Sequence, residues 1–434
     1  MAPKKNPKYE RLRWTIFGVT WLAYAGFYLT RKSFSVAKNE LKKADVMGLT
    51  KAQMSGMDAA YSLAYAGGQF LWGTLGDRFG TRKVVLFGMM ASVLTAAMMG
   101  TLTTAGGMAL LFTLQGLWQS SGWAPLGKNM GEFFSRRERG SVMGFWCTNY
   151  ALGGFVGSVV AGVAAKHYGW RYAFYVPAGL LALIWVLFLL FQKNRPEDAG
   201  LPSIEEYHGE SEPVIDKAES VVEEKEGTWH VVMAVLKNGM VWYLGAVYFL
   251  IKPTRYLLLF WSPVYIAETL KTDTGQSGLL SSMFDLAGPI GTLAGGIASD
   301  KIFQSKRMPV AVLALFALAV VMVVFPFIPL SRWGVGLGMF VMGFLVFIPD
   351  SLISGTAAID FGTKKGASTA NGVINGMGSI GQVLGVMLPG FAEAHMAKGQ
   401  NIWPVIFVGL GISLGVGGLM LAPLWHRLPP EAKR

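Results

Sequence analysis

Twelve stretches of mostly apolar residues recur along this 434-residue chain, and each reaches the roughly 20 residues that a helix needs to cross the hydrocarbon core of a bilayer. They lie near 14–36, 54–75, 84–104, 107–128, 141–165, 170–192, 240–267, 275–298, 309–329, 334–358, 367–390 and 403–424. The composition agrees, with 52% hydrophobic and only 15% charged residues, so the chain reads as an all-α polytopic membrane protein. Six stretches fall on each side of a polar interval. The expected organisation is therefore an N-terminal six-helix bundle over 1–192, a cytoplasmic linker over 193–239 and a C-terminal six-helix bundle over 240–434, the two bundles pseudo-symmetric.

Two arginines interrupt this apolar pattern at equivalent places. Tyr24, Tyr28 and Arg31 are spaced i, i+4 and i+7 in the first stretch, and Tyr248, Lys252 and Arg255 repeat that spacing in the seventh. Such spacing puts each trio on one helix face. Arg31 and Arg255 are 224 residues apart, close to half the chain. A guanidinium near mid-membrane costs about 3 kcal/mol or more, so the pair is a candidate anion site. The alternative for each arginine is a head group that snorkels from a helix end or pairs with a carboxylate.

The 55 glycines suit close helix packing in lipid, and Gly153, Gly154 and Gly157, or Gly378, Gly381 and Gly385, form stripes expected to mark packing faces. The net charge of +12 follows the loops: Lys4, Lys5, Lys8, Arg11 and Arg13 precede the first stretch. Arg78, Arg82 and Lys83, then Arg136, Arg137 and Arg139, Lys301, Lys306 and Arg307, and Lys364 and Lys365 follow later even-numbered ones. The positive-inside bias then places both termini in the cytoplasm, in a cell inner or plasma membrane, and the charge argues for the bilayer rather than nucleic acid as partner. The first stretch is long and runs into Arg31 and Lys32, which points to a retained helix rather than a cleaved signal peptide.

Enzyme chemistry has no support in the residues. Cys147 is the single cysteine, the five histidines show no metal-ligand spacing, and no nucleophile elbow, Walker sequence or paired catalytic carboxylates stand out. No metal and no cofactor is expected. The linker is acidic, with a short amphipathic surface helix expected over 229–236.

The two halves also share a loop sequence. Residues 73–83 (GTLGDRFGTRK), with Asp77 and Arg78, follow the second stretch, and residues 296–301 (GIASDK), with Asp300 and Lys301, follow the eighth. This doublet resembles the signature loop of the major facilitator superfamily, whose two six-helix halves rock about a central site. The aspartates can pair with bases or helix-terminal amides in a gating role. Within that superfamily the chain resembles the organophosphate:phosphate antiporters over essentially its whole length. The resemblance is carried by residues 24–32 (YAGFYLTRK), 119–128 (QSSGWAPLGK) and 200–207 (GLPSIEEY), by Arg255 with 261–263 (WSP), by 284–288 (FDLAG) and by 361–366 (FGTKKG).

What the resemblance implies is exchange of a phosphorylated metabolite, such as glycerol 3-phosphate, a sugar phosphate or a phosphoglycerate, for inorganic phosphate by alternating access. Arg31 and Arg255 would hold the phosphoryl group, with tyrosines as hydroxyl donors; a guanidinium fork suits phosphate oxygens. Tyr24, Tyr28, Tyr65, Gln69, Trp118, Gln119 and Tyr150 are the further cavity candidates. Compared with bacterial members, Tyr150 stands where a histidine is found, Gln69 where a lysine is found, and Lys252 adds a positive charge. Asp285, at the position of a family glutamate, and Asp350, near Pro349, are carboxylates within spans, and one or the other is expected to pair with Lys252 or Arg255 when the site is empty and to yield that partner to substrate. Other readings are an ion-coupled organic-anion symporter and a hexose-phosphate-sensing receptor on the same fold. The protein is expected to act as a monomer.

Overall fold

The computed structural model describes residues 6–134, 142–143, 145–208, 233, 236–304, 306–329, 331–353, 367–397 and 399–426. Every regular element among them is helical. The N-terminal run is α1 (Pro7–Leu41), α2 (Lys51–Phe79), α3 (Thr81–Met99), α4 (Ala105–Gln119), α5 (Trp123–Phe133), α6 (Thr148–Tyr168), α7 (Tyr172–Phe191) and the short α8 (Ile204–His208). The C-terminal run is α9 (Gly239–Leu270), α10 (Thr274–Ile297), α11 (Arg307–Val324), α12 (Arg332–Ser351), α13 (Ala367–His395) and α14 (Trp403–Leu421). Seven helices among the described residues, including α3, α6, α7, α11, α12 and α14, are long and apolar enough to cross a membrane. The helices α1, α2, α4, α9 and α10 fall outside that set, and they carry most of the polar candidates.

Three expectations shift. First, the fourth apolar stretch is not one rod: α4 ends at Gln119 and α5 begins at Trp123. Ser120 and Ser121 turn their hydroxyls onto the carbonyls of Leu117 and Trp118, and Gly122 lies so close to α1 that a Cβ would sit 2.8 Å from the Phe27 ring. Hydroxyls that bond back to the preceding turn compete with the helix ladder. Second, residues 73–79 of the signature loop are helical, because nothing breaks α2 before Gly80, whose φ of +83° makes the turn into α3. The matching segment at 298–302 is a π-turn that ends α10. Third, α1 runs five residues beyond the expected end, to Leu41, so Arg31 is interior to its helix.

The chain forms two compact units: residues Met1–Met47 with Ala60–Val222, and Gly48–Ala59 with Glu223–Arg434. The start of α2 thus clusters with the second unit, where Lys51 pairs with Glu268 at 3.1 Å and the Ser55 hydroxyl accepts the Gly390 amide at 3.0 Å.

In the first unit α1 packs against α6 and α7, and α3 against α7 and α4. The second unit repeats the pattern, with α9 against α13 and α11 against α14. The glycine stripes set the α1/α6 and α9/α13 spacing. A Cβ on Gly153 would stand 2.6 Å from the Ala25 carbonyl oxygen, and one on Gly381 would stand 2.3 Å from that of Phe249. Small residues let backbones meet at this distance where hydrophobic driving force between helices is weak. A buried cluster around Phe27, Leu126, Phe133, Trp146 and Leu181 completes the first unit.

Part of the sequence reading lies outside the described residues: the bases at 136–139 and 364–365, the 361–366 motif and most of the surface helix expected over 229–236.

Candidate functional site

In the first unit the polar stripe of α1 becomes a half-site around Arg31. Arg31 is 4% exposed and its guanidinium lies on a bed of phenol rings, with Cζ 4.1 Å from the Tyr28 centroid, 4.8 Å from Tyr65 and 5.9 Å from Tyr61. Cation–π contact of this kind gains strength when water is excluded. Arg31 Nε donates to Gln119 Oε1 at 3.0 Å, and the same oxygen accepts the Tyr61 hydroxyl at 2.7 Å. Gln119 Nε2 donates to Thr30 Oγ1 at 2.9 Å, which fixes the amide's orientation. Arg31 Nη2 is buried and, among the described residues, has no hydrogen-bond partner. A buried donor left unmade costs about 1–3 kcal/mol, so a charged ligand able to accept from it would recover that cost. Tyr24 adds its hydroxyl, 3.2 Å from that of Tyr65.

The structure brings Tyr24, Tyr28, Arg31, Tyr65 and Gln119 together, and adds Tyr61 and Thr30. Tyr61 was legible as the residue four before Tyr65 on the same helix. Tyr150 stands at the edge, its ring 6.2 Å from that of Tyr28. Trp118 is elsewhere: its ring packs with Trp72 and Phe87 at 6.1 and 5.8 Å. Gln69 is exposed.

The second unit builds a different half-site from the matching stripe on α9. Arg255 Nη1 makes an ion pair and hydrogen bond to Asp350 Oδ2, and the Tyr248 hydroxyl donates to Asp350 Oδ1 at 2.9 Å. Of the pairings open in the sequence, Arg255 with Asp350 is seen to form. Arg255 Cζ also lies 4.5 Å from the Phe347 ring centre, and Lys252 Nζ stands 4.8 Å over Tyr248 and 5.0 Å over Tyr256. Lys252 and Asp350 are 7% and 5% exposed. Asp285 is buried on α10. Pro253 and Gly385 explain why the stripe can be crowded: α13 approaches so closely that a Cβ on Gly385 would meet Pro253 Cα at 2.5 Å.

Of the gating candidates, Arg78 and Lys301 are exposed at the ends of α2 and of the turn after α10, while the side chains of Asp77 and Asp300 lie outside the described set.

Both half-sites thus sit on helices whose internal pairing repeats between units. A family model described as Major Facilitator Superfamily matches residues 20–386. The chain belongs to the major facilitator superfamily. It is accordingly an all-α, multi-pass membrane protein of a transporter fold rather than an enzyme. Among curated relatives, it is 29% identical to a probable hexose phosphate transport protein of Chlamydia trachomatis, over 98% of this chain and 92% of the relative. It is 31% identical to the glycerol-3-phosphate transporter of Bacillus subtilis, over 87% and 85%. The membrane sensor protein UhpC of Escherichia coli is 30% identical over 99% and 97%. Among solved structures, a mutant of the nucleoside transporter NupG superposes with a TM-score of 0.70 at 13% identity, over 95% of this chain and 100% of that one. At that identity the likeness concerns the major facilitator fold alone.

Proposed function

We propose that this major facilitator protein exchanges a phosphorylated metabolite for inorganic phosphate, with Arg31 and Arg255 as its phosphoryl-binding residues. The observation that carries the reading is Arg31: a buried guanidinium held by an amide and phenols, with Nη2 left to an incoming acceptor. A snorkelling arginine would expose its head group, which Arg31 does not. Arg255 on the equivalent helix supplies the second fork, and transport of hexose phosphate and glycerol 3-phosphate by relatives of similar length fits a phosphoryl-binding role. Binding of the anion neutralises buried positive charge, which favours passage of the loaded carrier over return of the empty one. Both termini face the cytoplasm in this reading, and the protein works as a monomer.

The test is uptake of labelled phosphate into proteoliposomes preloaded with unlabelled phosphate, in competition with glycerol 3-phosphate, hexose 6-phosphate, a phosphoglycerate and a non-phosphorylated acid. Saturable exchange blocked by one organophosphate is the expected outcome. Folded protein that exchanges no phosphate would overturn it.

A further inference from the structure

Thr30 and Arg31 are consecutive on α1, so their side chains leave the helix about 100° apart. Gln119 joins them through the two ends of one amide: Oε1 accepts from Arg31 Nε at 3.0 Å, and Nε2 donates to Thr30 Oγ1 at 2.9 Å. The Thr30 hydroxyl donates its own proton to the Phe27 carbonyl oxygen at 3.2 Å, which leaves its oxygen to accept from the amide. All three residues are buried.

A guanidinium has no acceptor, so Gln119 can hold Arg31 only with its oxygen. In that orientation the amide nitrogen faces Thr30, and among the described residues Thr30 Oγ1 is the acceptor it finds. Without that hydroxyl, a buried N–H would be left unmade in the one orientation that serves Arg31. The amide would turn toward another acceptor and release Nε. Because the guanidinium is planar and rigid, its Nε anchor also fixes its plane over Tyr28 and the direction of Nη2, the buried nitrogen with no hydrogen-bond partner among the described residues. We propose that Thr30 is a positioning residue for phosphoryl binding, acting through Gln119 to keep Arg31 Nη2 aimed at the incoming oxygen. This rests on the reading that Arg31 binds the phosphoryl group, and it adds a residue that lies off the helix face shared by Tyr24, Tyr28 and Arg31.

The test is a double-mutant cycle on the full chain. Phosphate affinity is read in two ways: half-saturation of phosphate exchange in proteoliposomes, and stabilisation by phosphate against thermal unfolding in detergent, which needs no transport. Thr30→Val keeps the branching of the side chain and removes the hydroxyl, and it should weaken phosphate binding about three- to tenfold, the worth of one neutral hydrogen bond. Thr30→Ser restores the oxygen and should stay within about twofold of the wild type. Gln119→Met removes the amide, so on that background Thr30→Val should weaken binding by less than about twofold more. A role confined to the packing of α1 would give the same loss on both backgrounds. Wild-type affinity in Thr30→Val, a Ser variant as weak as Val, or equal losses with and without Gln119 would overturn the proposal while leaving phosphate exchange by the wild type intact. If Thr30→Val does not accumulate, Thr30→Ala takes its place in the same cycle, and if the double variant does not, the comparison with Ser still decides. A wild type that exchanges no phosphate would overturn the underlying reading as well.

Discussion

Gln119 accepts the Nε–H of Arg31 through its amide oxygen at 3.0 Å, so it orients the guanidinium without cancelling its charge. The same oxygen takes the Tyr61 hydroxyl, and the amide nitrogen is spent on Thr30, so Gln119 has one orientation that satisfies all three partners. The arrangement leaves the charge of Arg31 available to a ligand.

Gln119→Glu converts that neutral clamp into a counter-ion at almost the same shape. Phosphate would then have to compete with a carboxylate in the first unit too, and its apparent affinity is expected to fall about ten- to a hundredfold, the worth of one charge-assisted bond. Inhibition constants from phosphate exchange at matched protein incorporation check this. An affinity equal to that of the wild type would mean that Arg31 does not meet the phosphoryl group.

Arg31→Lys and Arg255→Lys keep the charge but remove the planar fork. Each should weaken phosphate binding by about ten- to a hundredfold. The two need not weaken it alike. Lysine at 31 also loses the Nε–H to Gln119 and the flat face against Tyr28, whereas lysine at 255 can still pair with Asp350. The Arg31 variant is expected to be the weaker binder in phosphate competition, and the reverse order would argue that the second unit dominates affinity.

The limits of the sequence follow from the same residues. Helix-face spacing within one element is readable, which is why Tyr24, Tyr28 and Arg31 form one group by spacing and do sit together. Neighbours in sequence are harder: Trp118 and Gln119 are adjacent, so on a helix they point about 100° apart, and only Gln119 faces Arg31. The pairing of Arg255 with Asp350 spans 95 residues and competed with equally plausible partners in Asp285 and Lys252, which no periodicity separates. The break at Ser120–Gly122 escaped because serine and glycine are tolerated in apolar helices, and only the approach of Phe27 shows why the chain turns there. The clustering of 48–59 with the second unit has no local signal at all.

Tyr207, in the stretch that reads GLPSIEEY, stacks on Tyr9 with centroids 3.9 Å apart and planes at 5°, accepts the Asn6 amide and donates to Glu10 Oε1 at 3.1 Å. The start of the linker is thereby tied to the first turns of α1. Tyr207→Ala should lose the ring contact, worth about 0.5–1.5 kcal/mol beyond its burial, together with both hydrogen bonds. Tyr207→Phe should lose the hydrogen bonds alone and fall between Ala and wild type in thermal unfolding in detergent. A Phe variant as unstable as Ala would place the whole effect in the hydroxyl.

Gly381 and Gly376 are on one helix, α13, yet a methyl group meets different surroundings at each. At Gly381 it would stand 2.3 Å from the backbone oxygen of Phe249, which cannot rotate away, whereas at Gly376 nothing lies within 4 Å. Gly381→Ala must therefore push α13 off α9, at the typical overpacking cost of about 1–3 kcal/mol. Gly376→Ala should be neutral or stabilising, since alanine is better than glycine in a helix by about 1 kcal/mol. Because α9 carries Lys252 and Arg255 within two turns of Phe249, the Gly381 variant should also change the apparent affinity for phosphate, and the Gly376 variant should not. Melting temperature and phosphate competition on both variants check the argument. A Gly381→Ala protein as stable as the wild type would show that the α9/α13 contact yields at little cost, and the close approach would then not be what holds the second half-site in place.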